Sequence, residues 1–145
     1  MARIGTVIAC ICVFALGLAS AGCATWVNQL NSTACMCFDL GETRAEVTGF
    51  YTSAVGQTKG VPYPLYGAAI VAEDSYARMM SWSVAWVQSA TAWSGVMPMP
   101  DAYHAKPIGK DIYTTWTLTA PGALWSNTLV GKDHFTLQHL NDTCN

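Results

Sequence analysis

Four polar side chains have the types and the spacing of a hydrogen-bonding site. Asn28 and Ser32 stand on either side of a short turn, and Tyr51 and Ser53 are two positions apart in a later run. Residues two apart on an extended strand share a face. Three converging donors, Asn28, Ser32 and Tyr51, would suit a polarised ligand oxygen, and Ser53 would accept from a ligand N–H group. The alternative is that these side chains cap turns or bond the backbone.

Six tryptophans in a chain of 145 residues supply an apolar counterpart to these polar groups. Trp86 and Trp93 flank a short segment, and Trp116 and Trp125 lie on either side of a Pro-Gly turn. So many indoles around turns predict the walls of a pocket for a flat, mostly apolar ligand. For Trp125, a plain position in the core is the alternative.

Short apolar or alternating runs, separated by turn residues, must position these side chains. No window of the sequence shows a helical stripe over three turns, so the chain is predicted to be an antiparallel sandwich or barrel of about seven to nine strands. A closed barrel of about eight strands leaves room for one small ligand at its mouth. Examples of such runs are residues 25–30, 45–55, 81–88, 92–96, 112–119 and 134–140.

The first 21 residues have the pattern of a secretory signal peptide. Arg3 precedes an apolar stretch over residues 6–18, and small residues at 19–21 suit a signal peptidase. A transmembrane anchor is the weaker alternative, because the stretch is shorter than the ~20 residues that a bilayer requires. A lipid anchor on Cys23 is a further alternative. We expect cleavage after Ala21 and one secreted, extracellular domain over residues 22–145, with no membrane partner.

The charge balance excludes one class of partner. Charged residues make up 11% of the chain and its formal charge is −2. Loss of Arg3 with the leader makes the mature chain one unit more negative. A nucleic-acid-binding protein would carry a basic surface, so no nucleic-acid partner is expected. So few charges also favour burial of part of the surface in an oligomer.

Four cysteines remain after the leader, and they predict disulfide chemistry in a secreted chain. Cys35 and Cys37 share one side of a strand and cannot easily bond each other. We expect a disulfide between Cys23 and Cys144, because adjacent first and last strands of a closed barrel bring the termini together. The lone C-x-C lacks a second ligand pair for zinc, so no metal is expected.

Two N-x-S/T sequons make Asn31 and Asn141 candidate glycosylation sites. A glycan on Asn31 would stand next to Ser32 and crowd the rim of the expected pocket.

Several blocks, in order along the chain, resemble the avidin/streptavidin family of biotin-binding proteins. Three are WVNQLNS at residues 26–32, VTGFYTSAVG at 47–56 and WSNTLVGKDHFT at 125–136. The resemblance covers about residues 24–138. It implies an all-β fold, an eight-stranded antiparallel up-and-down β-barrel, that binds biotin as a ligand with no cofactor. The blocks between them are residues 82–86, 89–95 and 114–118.

The resemblance implies a role for each site residue. Asn28, Ser32 and Tyr51 look like the donors to the ureido oxygen of biotin, as in an oxyanion site. Ser53 and Asp133 look like the acceptors for its two N–H groups. Trp125 resembles the tryptophan that reaches into a neighbouring subunit's site, which implies a homotetramer. The other implied contacts are Thr91 at the sulfur, Val55, Gly56, Gln57 and Ser89 near the valerate tail, and Trp86, Trp93, Trp116 and Leu118 in the walls.

Departures from the family pattern fall in the connections. Six residues separate Trp86 from Trp93, fewer than in streptavidin, which shortens the loop expected beside the ligand tail. Cys35 and Cys37 are expected on the outer face of the barrel, where they bridge subunits or stay free.

Two other classes of function compete with biotin binding. An enzyme would use Asp133 with a histidine, but the chain has no nucleophile elbow, paired-carboxylate spacing or metal motif, so a non-catalytic protein is expected. The other alternative is a secreted barrel of the same fold that binds another small molecule or serves as an interaction protein.

Overall fold

The computed structural model describes residues 21–71, 77–99, 108–122 and 127–145. The predicted signal peptide, apart from Ala21, and the predicted inter-subunit residue Trp125 lie outside these ranges. Eight strands follow one another: β1 (Ala21–Asn28), β2 (Thr33–Asp39), β3 (Arg44–Thr52), β4 (Pro62–Val71), β5 (Ala77–Ala85), β6 (Ala90–Pro98), β7 (Asp111–Thr119) and β8 (Thr128–Asn141).

Each strand pairs antiparallel with the next, and β8 returns to pair with β1. The sheet is therefore a closed barrel, and the predicted eight-stranded antiparallel architecture is confirmed. Closure satisfies the backbone groups that an open sheet would leave at its edges. Within the described ranges, no helix is long and apolar enough to cross a membrane.

Strict alternation of side chains builds the core. On β2, Ala34, Met36 and Phe38 are buried, and on β5 every second residue from Arg78 to Val84 is buried while the residues between them are exposed. Successive side chains of a strand point to opposite faces, so one set fills the interior. Removal of this apolar surface from water is the main stabilising contribution.

The two ends of the barrel differ, and we name them here. The mouth is the end that carries the β1–β2, β3–β4, β5–β6 and β7–β8 connections, and the floor is the opposite end. Near the floor, Trp26 is fully buried and its Nε1 donates to the backbone oxygen of Gly109 at 3.2 Å. The amide of Gly109 in turn donates to Sδ of Met97 at 3.1 Å. Among the described residues, this packing fills the interior near the floor.

Strand β4 is absent from the runs named from the sequence because two prolines and a glycine interrupt its pattern. Pro62 and Pro64 pair with β3, but the pairing of β4 with β5 begins only at Leu65. The prolines therefore lie where no amide is needed for the second ladder. At Gly67, an added Cβ would lie 2.0 Å from the backbone oxygen of Ser81, so only glycine permits this approach of the two strands.

The expected disulfide between Cys23 and Cys144 is wrong. Cys23 bonds Cys37, its direct partner in the β1–β2 register, and Cys35 bonds Cys144. The two Cα–Cα distances are 4.0 and 5.6 Å. The termini do meet, because β1 pairs with β8, but the register gives Cys23 a closer partner. Cys35 and Cys37 lie on the outer face, and neither is free nor available to bridge subunits.

Candidate functional site

A cavity of about 590 Å³ opens at the mouth of the barrel. Every residue that the sequence predicts to contact the ligand, and that the structure describes, lines this cavity. Cavities of this size accommodate drug-sized molecules and cofactors. The predicted residues that line it are Asn28, Ser32, Tyr51, Ser53, Val55, Gly56, Gln57, Trp86, Ser89, Thr91, Trp93, Trp116, Leu118 and Asp133.

Asn28 and Ser32 use their acceptor atoms locally and keep donors for a ligand. Oδ1 of Asn28 accepts from the amides of Leu30 and Ser32 at 3.0 and 2.9 Å. Oγ of Ser32 accepts from the amide of Ala54 at 2.9 Å. The sequence offered two alternatives for these side chains, a ligand site or hydrogen bonds to the backbone. Both hold, since the same side chains bond the backbone and line the cavity. The side-chain amide of Asn28 is left to donate, and the Ser32 hydroxyl also bonds the Tyr51 side chain, so these two hydroxyls share one free proton for a ligand.

Tyr51 contributes a phenol that remains protonated at neutral pH. Burial raises its pKa to about 12, a hydrogen bond with the Ser32 side chain lowers it, and the charge of Asp133 raises it. The ionised form is disfavoured because a buried phenolate loses its hydration. Tyr51 is only 4% exposed, and it is a donor over the physiological range.

Ser53 is oriented as an acceptor by the loop that follows it. Its Oγ donates to the backbone oxygen of Val55 at 2.8 Å and receives the Val55 amide at 3.2 Å. The hydroxyl proton is thus used within the loop, and a lone pair remains for a ligand N–H group. The same loop turns at Gly56 with φ of 77°, which favours glycine. The amide of Gly60 closes the loop by donating to the backbone oxygen of Ser53 at 2.8 Å.

Asp133 is a buried carboxylate that two side chains hold in place. Nε1 of Trp93 donates to Oδ2 at 3.0 Å, and Nε2 of Gln29 donates to Oδ1 at 3.1 Å. Gln29 also donates to the backbone oxygen of Lys132 and accepts from the amide of His134, both at 3.1 Å. A buried charge requires such partners. The clasp by Gln29 was missed from the sequence, because it joins residues 104 positions apart.

Aromatic rings form the walls, and one of them was not foreseen. The rings of Tyr51 and Trp93 lie 4.8 Å apart between centroids, and Tyr63 of β4 meets Trp86 edge-on at 5.0 Å. Nε1 of Trp86 donates to Oγ1 of Thr91 at 2.8 Å. This bond fixes the indole and leaves the Thr91 hydroxyl proton free to face a ligand. Tyr63 lacked a spacing signal because β4 itself was not recognised.

Comparison with known proteins identifies the family of this site. The model of the avidin family matches residues 20–138.

The chain belongs to the avidin family.

Three solved structures illustrate the likeness. Core-bradavidin is 23% identical with a TM-score of 0.64, and the match covers 80% of this chain and 99% of core-bradavidin. Short afifavidin in complex with biotin is 27% identical with a TM-score of 0.55, covering 80% of this chain and 88% of that one. A shwanavidin variant in complex with biotin is 28% identical with a TM-score of 0.56, covering 79% and 94%. No curated protein matches at a significant level.

One wall of this avidin-family pocket depends on a glycine of β8. Trp116 of β7 pairs with Gly131, and a Cβ at Gly131 would lie 2.4 Å from Cζ2 of the indole. Only glycine lets the ring lie against β8. Gly131 was part of the family resemblance, but its packing role had no signal in the spacing.

The two glycosylation candidates have different surroundings in this avidin-family barrel. Asn31 is exposed in the β1–β2 turn, with φ of 64°. The amide nitrogen of Asn141, the atom that a glycan would occupy, donates to Oγ1 of Thr25 at 2.7 Å and to Sγ of Cys35 at 3.1 Å. In the folded protein, Asn31 is thus the accessible acceptor.

Proposed function

We propose that this protein binds biotin at the barrel mouth and catalyses no reaction. The observation that carries the proposal is the pairing of donors and acceptors in one buried cavity. Asn28 keeps a donor available, Ser32 and Tyr51 bond each other and can turn their hydroxyls toward a ligand oxygen, and Ser53 and Asp133 offer acceptors. A cyclic urea presents one carbonyl oxygen and two N–H groups, so it matches this set in number and kind.

The fixed geometry of these groups supports tight binding. Asn28, Ser32 and Ser53 are each held by backbone hydrogen bonds, and Asp133 is held by Trp93 and Gln29. Groups that are ordered before binding lose little entropy when the ligand arrives. The avidin-family structures of short afifavidin and of the shwanavidin variant hold biotin, which further supports biotin as the ligand here.

The valerate tail is assigned to the outer part of the cavity. Ser89 lies in a tight β5–β6 turn, which is closed by a hydrogen bond from the Trp86 backbone amide to the Ser89 backbone oxygen at 2.8 Å. Gly56 and Gln57, in the β3–β4 connection, also line the cavity. We infer that the Ser89 hydroxyl and the backbone at Gly56 and Gln57 bind the carboxylate of the tail.

Titration calorimetry of residues 22–145 with biotin tests the proposal. We expect one biotin per chain, and a loss of affinity of about 10–100-fold or more in Asp133→Ala, because the variant removes a charged acceptor. Asp111→Ala is the matched control, since its carboxylate lies on the outer face and pairs with His134 at 2.8 Å. The absence of binding heat and of competition with a labelled biotin would refute the assignment.

We further propose that the mature protein is secreted and associates into a homotetramer. A groove of about 900 Å³ runs over the outer face of β4–β8, with Met79, Tyr113 and Lys132 among its lining residues. On β8, Leu129 and Val130 are 61% and 68% exposed. Exposed apolar side chains of this kind support an interaction site on the barrel. Light scattering at micromolar concentration is expected to give the mass of four chains, and a monomer alone would contradict this assembly.

A further inference from the structure

One interior position at the floor holds an arginine instead of an apolar residue. Arg78 belongs to the inward set of β5, which continues with Met80, Trp82 and Val84. It is 2% exposed, and its guanidinium carbon lies 4.9 Å above the centre of the Phe38 ring. The contact with an aromatic face offsets part of the cost of burying the charge.

Two of the three nitrogens of this guanidinium lack a hydrogen-bond partner within the described part of the chain. Nε and Nη1 of Arg78 are buried and have no hydrogen-bond partner there. Asp39 is near enough to act on Arg78 through its charge, but its Oδ1 accepts from the amide of Gly41 at 2.8 Å. Burial lowers the pKa of Arg78, and the charge of Asp39 opposes that shift. The local charge is thus partly balanced, while two donors lack acceptors.

We propose that the floor of the barrel binds a small monovalent anion through the guanidinium of Arg78. Unsatisfied buried donors are costly, and arginine retains its charge, so an acceptor at this place stabilises the fold. A monovalent ion fits because Asp39 already supplies one negative charge nearby. Chloride and bromide are the probes of this site. It lies at the opposite end of the barrel from the biotin pocket and does not rest on the proposed function.

Thermal unfolding at constant ionic strength tests the anion site. Sodium gluconate, whose anion is much larger than chloride, is replaced stepwise by sodium chloride. We expect the Tm of the mature protein to rise by about 2–5 °C when chloride reaches ten times its dissociation constant. Arg78→Met should abolish this rise. Arg44→Met is the matched control, because Arg44 begins β3 at the same end with an exposed side chain, and it should keep the rise.

Three outcomes overturn the proposal. They are an equal rise in Arg78→Met, a loss of the rise in Arg44→Met, and a wild-type Tm that does not respond to chloride. Biotin affinity should be unchanged in Arg78→Met, and this measurement separates the anion site from the pocket at the mouth.

Diffraction from crystals grown in bromide gives a second readout that does not depend on any variant folding. Anomalous scattering should place a bromide ion at hydrogen-bonding distance from Nε or Nη1 of Arg78. A map without that peak rejects the anion site. So does a map in which a carboxylate of the protein accepts the hydrogen bonds from Nε and Nη1 of Arg78.

Discussion

The mouth and the floor are built from the same eight strands, but they treat buried polar groups differently. At the mouth, Asn28, Ser32 and Ser53 satisfy one part of their hydrogen-bonding capacity with backbone and leave the other part toward the cavity. At the floor, apolar side chains and the bond from Trp26 to Gly109 close the interior. Arg78 apart, the floor therefore supplies stability, while the mouth supplies spare, oriented polar atoms.

The largest effect should come from an attack on the floor. Trp26→Ala removes a fully buried indole and its bond to the Gly109 oxygen, and we expect a loss of about 3–5 kcal/mol in the free energy of unfolding. Urea denaturation measures it. If the ends are separable, the folded fraction of the variant should bind biotin with nearly unchanged affinity. A large loss of affinity without a loss of stability would reverse the roles of the two ends.

A pH titration isolates the contribution of Tyr51 at the mouth. Its pKa is about 12 in the folded state against 10.0 for the ordinary phenol. Below pH 10 the phenol is protonated in both states and its contribution is constant. From pH 10 to 12 only the unfolded chain ionises, so stability should fall by about 2–3 kcal/mol in total. Tyr51→Phe should lack this component, and identical pH profiles for both proteins would contradict the assigned pKa.

Two matched tryptophan variants sharpen the comparison of the ends. Trp93→Phe removes the donor to Asp133 at the mouth, and Trp26→Phe removes the donor to the Gly109 oxygen at the floor. Each should cost about 1–3 kcal/mol. The cost should appear in biotin affinity for Trp93→Phe, as measured by calorimetry, and in Tm for Trp26→Phe. Equal losses of Tm with unchanged affinity in both variants would show that Trp93 has only a structural role.

Local patterns predicted more than long-range pairing did. The inward direction of Ser32 and Tyr51 follows from a period of two, which each strand carries within its own sequence. The disulfide pairs depend on the register between neighbouring strands, because a shift of one residue changes which cysteines face each other. The expected partner of Cys23 was wrong because that register could not be read from the sequence. Strand β4 was missed because its prolines interrupt the pattern of a strand in the sequence. In the barrel they are tolerated, since a proline is excluded from a ladder only where a backbone amide must donate.

The smallest expected effect concerns Gln29, which was invisible in the sequence and connects the mouth to β8. Its amide donates to Asp133 and to the Lys132 oxygen and accepts from His134. Gln29→Ala should weaken biotin binding by about 2–10-fold, because Asp133 keeps its bond from Trp93 while losing one of two donors. Gln138→Ala, at an exposed glutamine of β8 that does not line the pocket, is the control and should leave affinity unchanged. The same substitution should be repeated in the Asp133→Ala background. If Gln29→Ala lowers the affinity for biotin more there than in the wild type, the glutamine acts on the ligand itself rather than through the carboxylate.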